Sequence, residues 1–267
     1  MKISIKISEN LISRIYSGPQ VFGEINKFLW NFCGKPSGVY LLVDENTHRF
    51  CLPKLLNEVP CLEKAEIIVT PSGEQNKDIR HVVQIWGKLM KMGAIRHSLL
   101  VNLGGGMITD LGGFAAATFK RGIPFIHIPT TLMGMTDAAI GGKTGVNIDL
   151  VKNQAGVYSN PEAVFIHPGF LETLKPDQMM SGLAEMIKYA LILDAPLWKK
   201  FLKMDFRTLR DLQKEDPQWD DLICRLVKMK ARVVSADYRE NKYRRILNFG
   251  HTAGHALESF SISDGNK

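Results

Sequence analysis

The chain has 267 residues, 45% of them hydrophobic and 23% charged, an ordinary composition for a soluble folded protein with one large domain or two smaller ones. Its net charge of +7 comes from dispersed Lys and Arg, with no run of five basic residues and no nucleic-acid motif. That argues against nucleic acid and for an anionic small substrate. No apolar run reaches the roughly 18 residues of a membrane span, and Cys33, Cys51, Cys61 and Cys224 sit too far apart for a CxxC pair or a disulfide framework, as in a cytoplasmic protein.

The N-terminus, Met1 to Ile7, alternates apolar with polar residues and predicts a half-buried strand rather than a signal peptide. Val39 to Val43 and Glu66 to Thr70 read as strands. Between Gln75 and Met92, Ile79, Val82, Val83, Trp86, Leu89 and Met90 recur at helical spacing, and Gly93 is placed to end that helix. Apolar runs at Ser98 to Leu103 and Pro124 to Ile128 predict two more strands, with a helix over Met107 to Phe119 between them. Alternation of this kind implies a parallel sheet covered by helices.

After Pro176 the pattern becomes helical: Asp177 to Leu193, Pro196 to Leu212, and Pro217 to about Ala236 behind Asp216 as N-cap. The predicted fold is an α/β N-terminal Rossmann-like domain, residues 1–176, plus an all-helical C-terminal domain, residues 177–267, with a cleft between them.

Gly104-Gly105-Gly106 follows a predicted strand and opens a predicted helix, a setting that lets backbone N–H groups approach a pyrophosphate; a tight packing turn is the plainer reading. The strict GxGxxG fingerprint is not met, because Thr109 stands at its last glycine. Gly141-Gly142-Lys143-Thr144 imitates the end of a Walker A loop, but Asp137 replaces that motif's first glycine, which excludes a P-loop ATPase. Asp137, Lys143, Lys152 and Asn153 fall in a Gly-rich stretch without clear periodicity, where charges are commonly just solvated. Glu185 and Lys188 have the spacing of a surface ion pair, and Lys230, Arg244 and Arg245 read equally well as solvated helix-face charges. His251 and His255 lie one helical turn apart, which is metal-site spacing, yet Thr252 stands where the zinc-protease motif needs glutamate.

Taken in order, seven motifs resemble those of the 3-dehydroquinate synthase family over about Asp44 to Glu258. They are Gly104-Gly105-Gly106-Met-Ile-Thr-Asp110-Leu, Phe-Lys-Arg121-Gly, Ile-Pro-Thr130-Thr131-Leu, Asp137-Ala-Ala-Ile-Gly-Gly-Lys143-Thr-Gly-Val-Asn, Lys152-Asn153, Leu-Ala-Glu185-Met-Ile-Lys188 and Leu-Asn248-Phe-Gly-His251. The resemblance implies a dehydroquinate synthase-like fold. It also implies conversion of 3-deoxy-D-arabino-heptulosonate 7-phosphate to 3-dehydroquinate plus phosphate, a step of the shikimate pathway of aromatic amino acid biosynthesis. It assigns NAD to Asp44, Asn46, Glu74, Lys77, Gly104, Gly105, Gly106, Asp110, Thr130, Thr131, Lys143, Lys152, Asn153, Phe170 and Thr173. A divalent metal, zinc or cobalt, falls to Glu185 and His251. Substrate contacts and catalysis fall to Asp137, Lys143, Lys188, Lys230, Arg244, Asn248 and His255, with Arg121 reaching the site of a second subunit in a cytoplasmic homodimer. The resemblance further implies that NAD is used catalytically, the carbon it oxidises being reduced again after phosphate leaves.

The family's third metal ligand, a histidine in a His-Gly-Glu motif, has no match before Lys267, so the resemblance implies a chain truncated in its C-terminal domain. Three alternatives stay open: a sister sugar-phosphate cyclase, a metal-dependent polyol dehydrogenase, and an inactive NAD-binding form. The cationic set Lys143, Lys188, Lys230 and Arg244 argues against an uncharged polyol.

Overall fold

Alternate residues of an apolar strand face opposite ways, and in the computed structural model of the chain this feeds two separate packing layers, one on each face of a seven-stranded sheet. Residues 2–8, 11–32, 38–149, 151–204, 217–251, 253, 254 and 257 are described. The strands are β1 (Lys2–Ser8), β2 (Leu11–Ser17), β3 (Val39–Asp44), β4 (Glu66–Thr70), β5 (Leu99–Gly104), β6 (Phe125–Pro129), β7 (Lys143–Ile148), β8 (Val151–Tyr158) and β9 (Ala163–Ile166). The sheet order is β1-β2-β9-β6-β5-β3-β4, parallel throughout except for the antiparallel β1–β2 pair, and β7 with β8 forms a separate antiparallel hairpin.

The helices are α1 (Val21–Leu29), α2 (Glu45–Phe50), α3 (Leu52–Glu58), α4 (Ile79–Lys91), α5 (Gly106–Thr118), α6 (Pro176–Leu193), α7 (Ala195–Phe201) and α8 (Pro217–Ala236). In β3, Val39, Leu41 and Val43 face the layer that holds α1, α6 and α8, while Tyr40 and Leu42 face α4 and α5. The first layer runs without a break from Ile15 and Val164 in the sheet to Met186, Trp219 and Leu226 in the C-terminal helices. The second is smaller and is closed by Val82, Ile85, Leu111 and Phe114.

Each predicted strand and helix of the first half is present, with one shifted start. The helix expected from Gln75 begins at Ile79, because the Lys77 carbonyl accepts the Asn147 backbone N–H at 2.7 Å and cannot serve a helix. Asp78 then caps α4 by accepting the His81 backbone N–H at 3.0 Å. The sequence reading did not anticipate β2, α1, β9 or the β7–β8 hairpin. Of the helix expected over Pro196 to Leu212, α7 covers the first part and ends at Phe201, after which Leu202 to Met204 form a turn; residues 205–212 and Asp216 lie outside the described residues. Among the described residues no helix is long and apolar enough to cross a membrane.

Candidate active site

The chain passes from β3 to β4 on one side of the sheet, then returns to place β5 on the other side of β3. Such a switch point opens a crevice at the carboxyl ends of the strands, the usual ligand position in a parallel sheet. Asp44 ends β3 there, and its carboxylate accepts the Thr47 backbone N–H at 2.8 Å while Thr47 Oγ1 accepts the Asp44 N–H at 2.9 Å, fixing the first turn of α2 with Asn46 inside it. Gly104 to Gly106 leave β5 for α5 on the opposite wall. A Cβ on Gly104 would lie 2.5 Å from the Ile108 Cβ, and one on Gly105 would lie 2.8 Å from the Thr131 Cγ2, so no side chain fits this turn. No side chain caps α5, which leaves its first backbone N–H groups to a ligand. Thr109 is accommodated without a third glycine, because its hydroxyl donates back to the Gly106 carbonyl at 3.0 Å. Thr130 is buried beside the turn and donates its N–H to the Gly104 carbonyl at 3.0 Å. Thr173 is exposed at the end of the Pro168–Thr173 turn, whereas the Phe170 ring is committed to the core against Phe22.

Behind the crevice Lys77 is only 4% exposed. Its ammonium donates to Asn153 Oδ1 at 2.8 Å and pairs with Glu74 at 2.8 Å and Asp110 at 3.2 Å. Burial opposes the charge on Lys77, but Asp110 and Glu74 together more than offset it and hold the ammonium above its ordinary range. Burial also pushes Asp110 up to about 6, with Lys77 opposing it. Asn153 and the half-buried Lys152 sit on β8, Asn153 in the left-handed region at φ 54°.

A second polar cluster joins the sheet half to the C-terminal helices. Asp137 lies on a π-helical turn, Gly134–Ala138, a local irregularity often found at functional sites. Tyr189 of α6 donates to Asp137 Oδ1 at 2.6 Å, and Lys230 of α8, only 5% exposed, pairs with the same carboxylate and donates to the Asp137 carbonyl at 2.6 Å. Burial acts against the carboxylate, but Lys230 and Lys188 overcome it and hold Asp137 well below the usual carboxylate range. The same burial raises the Tyr189 phenol, and the neighbouring Asp137 charge raises it further. Lys188 pairs with Glu185 one turn earlier on α6 and donates to the Leu247 carbonyl at 2.7 Å.

The loop after α8 supplies the rest. Arg244, 2% exposed, donates to the Gly141 carbonyl at 3.0 Å and the Tyr238 carbonyl at 2.7 Å. Gly141 has φ 100°, and a Cβ there would meet the guanidinium at 2.5 Å. Glu240 pairs with Lys143 of β7 and accepts from Asn248 Nδ2 at 2.9 Å, so one carboxylate holds two of the expected substrate contacts. Glu185 has burial as the largest influence, raising its pKa, and Oε1 lies against the Lys188 ammonium without a hydrogen bond of normal geometry. An acceptor left in that state suits a divalent cation. His251 is half-buried just beyond Asn248, and His255 lies outside the described residues. Among the described residues no three His, Cys, Asp or Glu side chains converge on one point to hold a metal.

Residues 67–181 match the 3-dehydroquinate synthase N-terminal family and residues 182–265 match its C-terminal counterpart. A 3-dehydroquinate synthase of Campylobacter jejuni subsp. doylei is 34% identical over 261 residues, covering 98% of this chain and 71% of that protein. The chain belongs to the 3-dehydroquinate synthase family. The family member from Parabacteroides distasonis is 46% identical over 239 residues, which is 90% of this chain; the aligned part is 65% of that relative's length. Among solved structures, 2-epi-5-epi-valiolone synthase from Streptomyces hygroscopicus subsp. jinggangensis, with NAD+ and Zn2+ bound, superimposes with a TM-score of 0.78. It is 30% identical, over 91% of this chain and 67% of that one.

In this family member, then, Glu74, Lys77, Asp110 and Asn153 meet in one network, and Asp137, Lys188, Lys230 and Glu185 in another. Lys230 and Arg244 are buried rather than solvated helix-face charges. Arg121 stands apart: it is exposed, at φ 68° between Lys120 at φ 49° and Gly122 at φ 110°, and makes no hydrogen bond or ion pair among the described residues. Sequence reasoning missed Tyr189, Glu240 and Asn147. Tyr189 was within reach, since it falls one turn after Glu185 on the same helix face. Glu240 and Asn147 carry no comparable signal.

Proposed function

We propose that the chain is a 3-dehydroquinate synthase, converting 3-deoxy-D-arabino-heptulosonate 7-phosphate to 3-dehydroquinate and phosphate in aromatic amino acid biosynthesis, as a cytoplasmic homodimer. The observation that carries this is the Asp137 cluster: a half-buried carboxylate kept ionised by Lys230 and Lys188, beside a crevice with an uncapped helix N-terminus. In this reading residues 1–176 bind NAD and residues 177–267 bind metal and substrate.

Asp44 and Asn46 on one wall, and Gly104 to Gly106 with Thr130 and Thr131 on the other, hold the dinucleotide. Glu74, Lys77, Asp110, Lys152, Asn153, Phe170 and Thr173 complete its surroundings. Glu185 and His251 contribute donors to zinc or cobalt. When bound, NAD supplies a transient oxidation at one substrate carbon and the metal polarises the oxygen there.

The chain's own side chains do the remaining work. Lys143, Lys188, Lys230, Arg244 and Asn248 fix the carboxylate and phosphate of the sugar acid by charge-assisted hydrogen bonds, with Arg121 of a second copy and His255 completing the set. Lys143 and Asn248 already hold a carboxylate, that of Glu240, where an anionic substrate group would compete for them. Asp137 keeps Lys230 and Tyr189 in place and stays ionised, ready to accept a hydrogen bond from a substrate hydroxyl.

The test is turnover with the sugar acid phosphate, NAD+ and zinc or cobalt. Phosphate and dehydroquinate should appear together with no accumulation of NADH. Stoichiometric NADH would instead identify a polyol dehydrogenase, another carbocycle a sister cyclase, and NAD+ binding without turnover an inactive form.

A further inference from the structure

Arg244 is gripped on one side only. Its Nη1 donates to the Gly141 carbonyl at 3.0 Å and to the Tyr238 carbonyl at 2.7 Å, which uses both hydrogens on that nitrogen. Nε and Nη2 make no hydrogen bond among the described residues. Those two nitrogens are an edge that matches the paired oxygens of a carboxylate or phosphate. The two carbonyls on Nη1 come from distant parts of the chain, and one side-chain contact joins them. Asn160, just after β8, donates from Nδ2 to the Tyr238 hydroxyl at 2.7 Å. Both groups close over Gly142, the neighbour of Gly141. Gly142 has φ 67°, and a Cβ there would meet the Tyr238 hydroxyl at 2.7 Å and Asn160 Oδ1 more closely still. The Gly142 carbonyl also accepts the Ser159 N–H at 2.8 Å, which ties Asn160 to the same turn through its backbone neighbour. The Tyr238 ring centroid lies 5.4 Å from that of Tyr158, whose hydroxyl donates to the Arg239 carbonyl at 3.0 Å.

We propose that Tyr238 and Asn160 are positioning residues for Arg244: their hydrogen bond keeps the Gly141 and Tyr238 carbonyls on one guanidinium nitrogen and so aims the Nε–Nη2 edge at an anionic group of the substrate. This rests on the assignment of Arg244 to the substrate. A guanidinium fixed before the anion arrives loses less freedom when the anion binds, and that difference appears as affinity.

The test is calorimetric titration of the full chain with 3-deoxy-D-arabino-heptulosonate 7-phosphate, in saturating NAD+ and with a chelator to prevent turnover. Tyr238→Phe keeps the ring beside Tyr158 and the backbone carbonyl, and removes only the hydroxyl. It should weaken binding about tenfold. Asn160→Ala should do the same, and the two together should lose no more than either alone, because they break one link. Arg244→Lys keeps the charge but has no planar edge to aim. In that background Tyr238→Phe should change the affinity by less than about twofold. A merely structural role for Tyr238 does not predict this dependence on Arg244. If Tyr238→Phe leaves the affinity unchanged, or weakens it equally with arginine and with lysine at position 244, the inference is overturned while the proposed function stands. An unsubstituted chain that does not bind the sugar acid phosphate overturns both.

Discussion

Protonation of His127 should unfold the sheet from its centre. His127 on β6 is buried opposite Asn102 of β5, whose amide donates to its Nδ1 at 3.2 Å, so the neutral ring carries its proton on Nε2. Desolvation lowers its pKa from 6.5 to about 3. Between those values the unfolded chain binds one more proton than the folded one, so stability rises with pH and is lost on acidification. Each pH unit is worth about 1.4 kcal/mol, which gives a loss of about 2 kcal/mol at pH 5 relative to neutral pH, and about 4 kcal/mol by pH 3, where the folded ring begins to protonate as well. Urea unfolding at several pH values, for the unsubstituted chain and for His127→Gln, isolates this group from His167, which is also lowered by burial, to about 4. The difference between the two stability curves should be flat above about pH 7 and slope downward below it. A difference that stays flat to pH 5 would refute the argument, because His127 would then titrate equally in both states.

Lys230→Met takes from the half-buried Asp137 carboxylate its ion-pair partner and leaves it Tyr189 and Lys188; equilibrium unfolding should show a loss of about 1–3 kcal/mol, partly recovered by adding Asp137→Asn. Gly104→Ala drives a Cβ to 2.5 Å from the Ile108 Cβ and should cost about 1–3 kcal/mol, with weaker NAD+ binding by fluorescence titration. Glu240→Gln removes an ion pair whose lysine is 45% exposed. Chemical denaturation should register less than about 1 kcal/mol, while the affinity for inorganic phosphate should rise as Lys143 and Asn248 are released.

The central strands were legible because they are buried on both faces: Leu41, Leu42, Val101 and Ile126 leave an unbroken apolar signature. The β7–β8 hairpin was not, because it turns few apolar residues inward: Val146 is buried, but Ile148, Val151 and Val157 are exposed, and Gly145 and Gly156 are set by close backbone approach rather than by any hydrophobic period. The site divides the same way. The glycine turn and Asp110 are local features, readable from a strand followed by a helix. Lys230 and Arg244 gave no local sign of burial, since their partners Asp137 and Gly141 lie 93 and 103 positions away in the chain. Spacing along one helix cannot report a neighbour brought in by the fold.

The unbroken packing layer that joins the sheet to α6 and α8 bears on how this protein can be divided. Leu132, Met135 and Ile140, all from the sheet half, are shielded in the same layer as Met186, Tyr189 and Leu226. Cutting at Pro176 would strip that cover and present a contiguous oily surface to water, the kind that drives self-association. The change from strand–helix alternation to helices alone is therefore a boundary of pattern rather than of cooperativity. A fragment ending there should need the downstream helices, supplied in trans, to remain in solution, and any drift of α8 should be felt directly at Asp137.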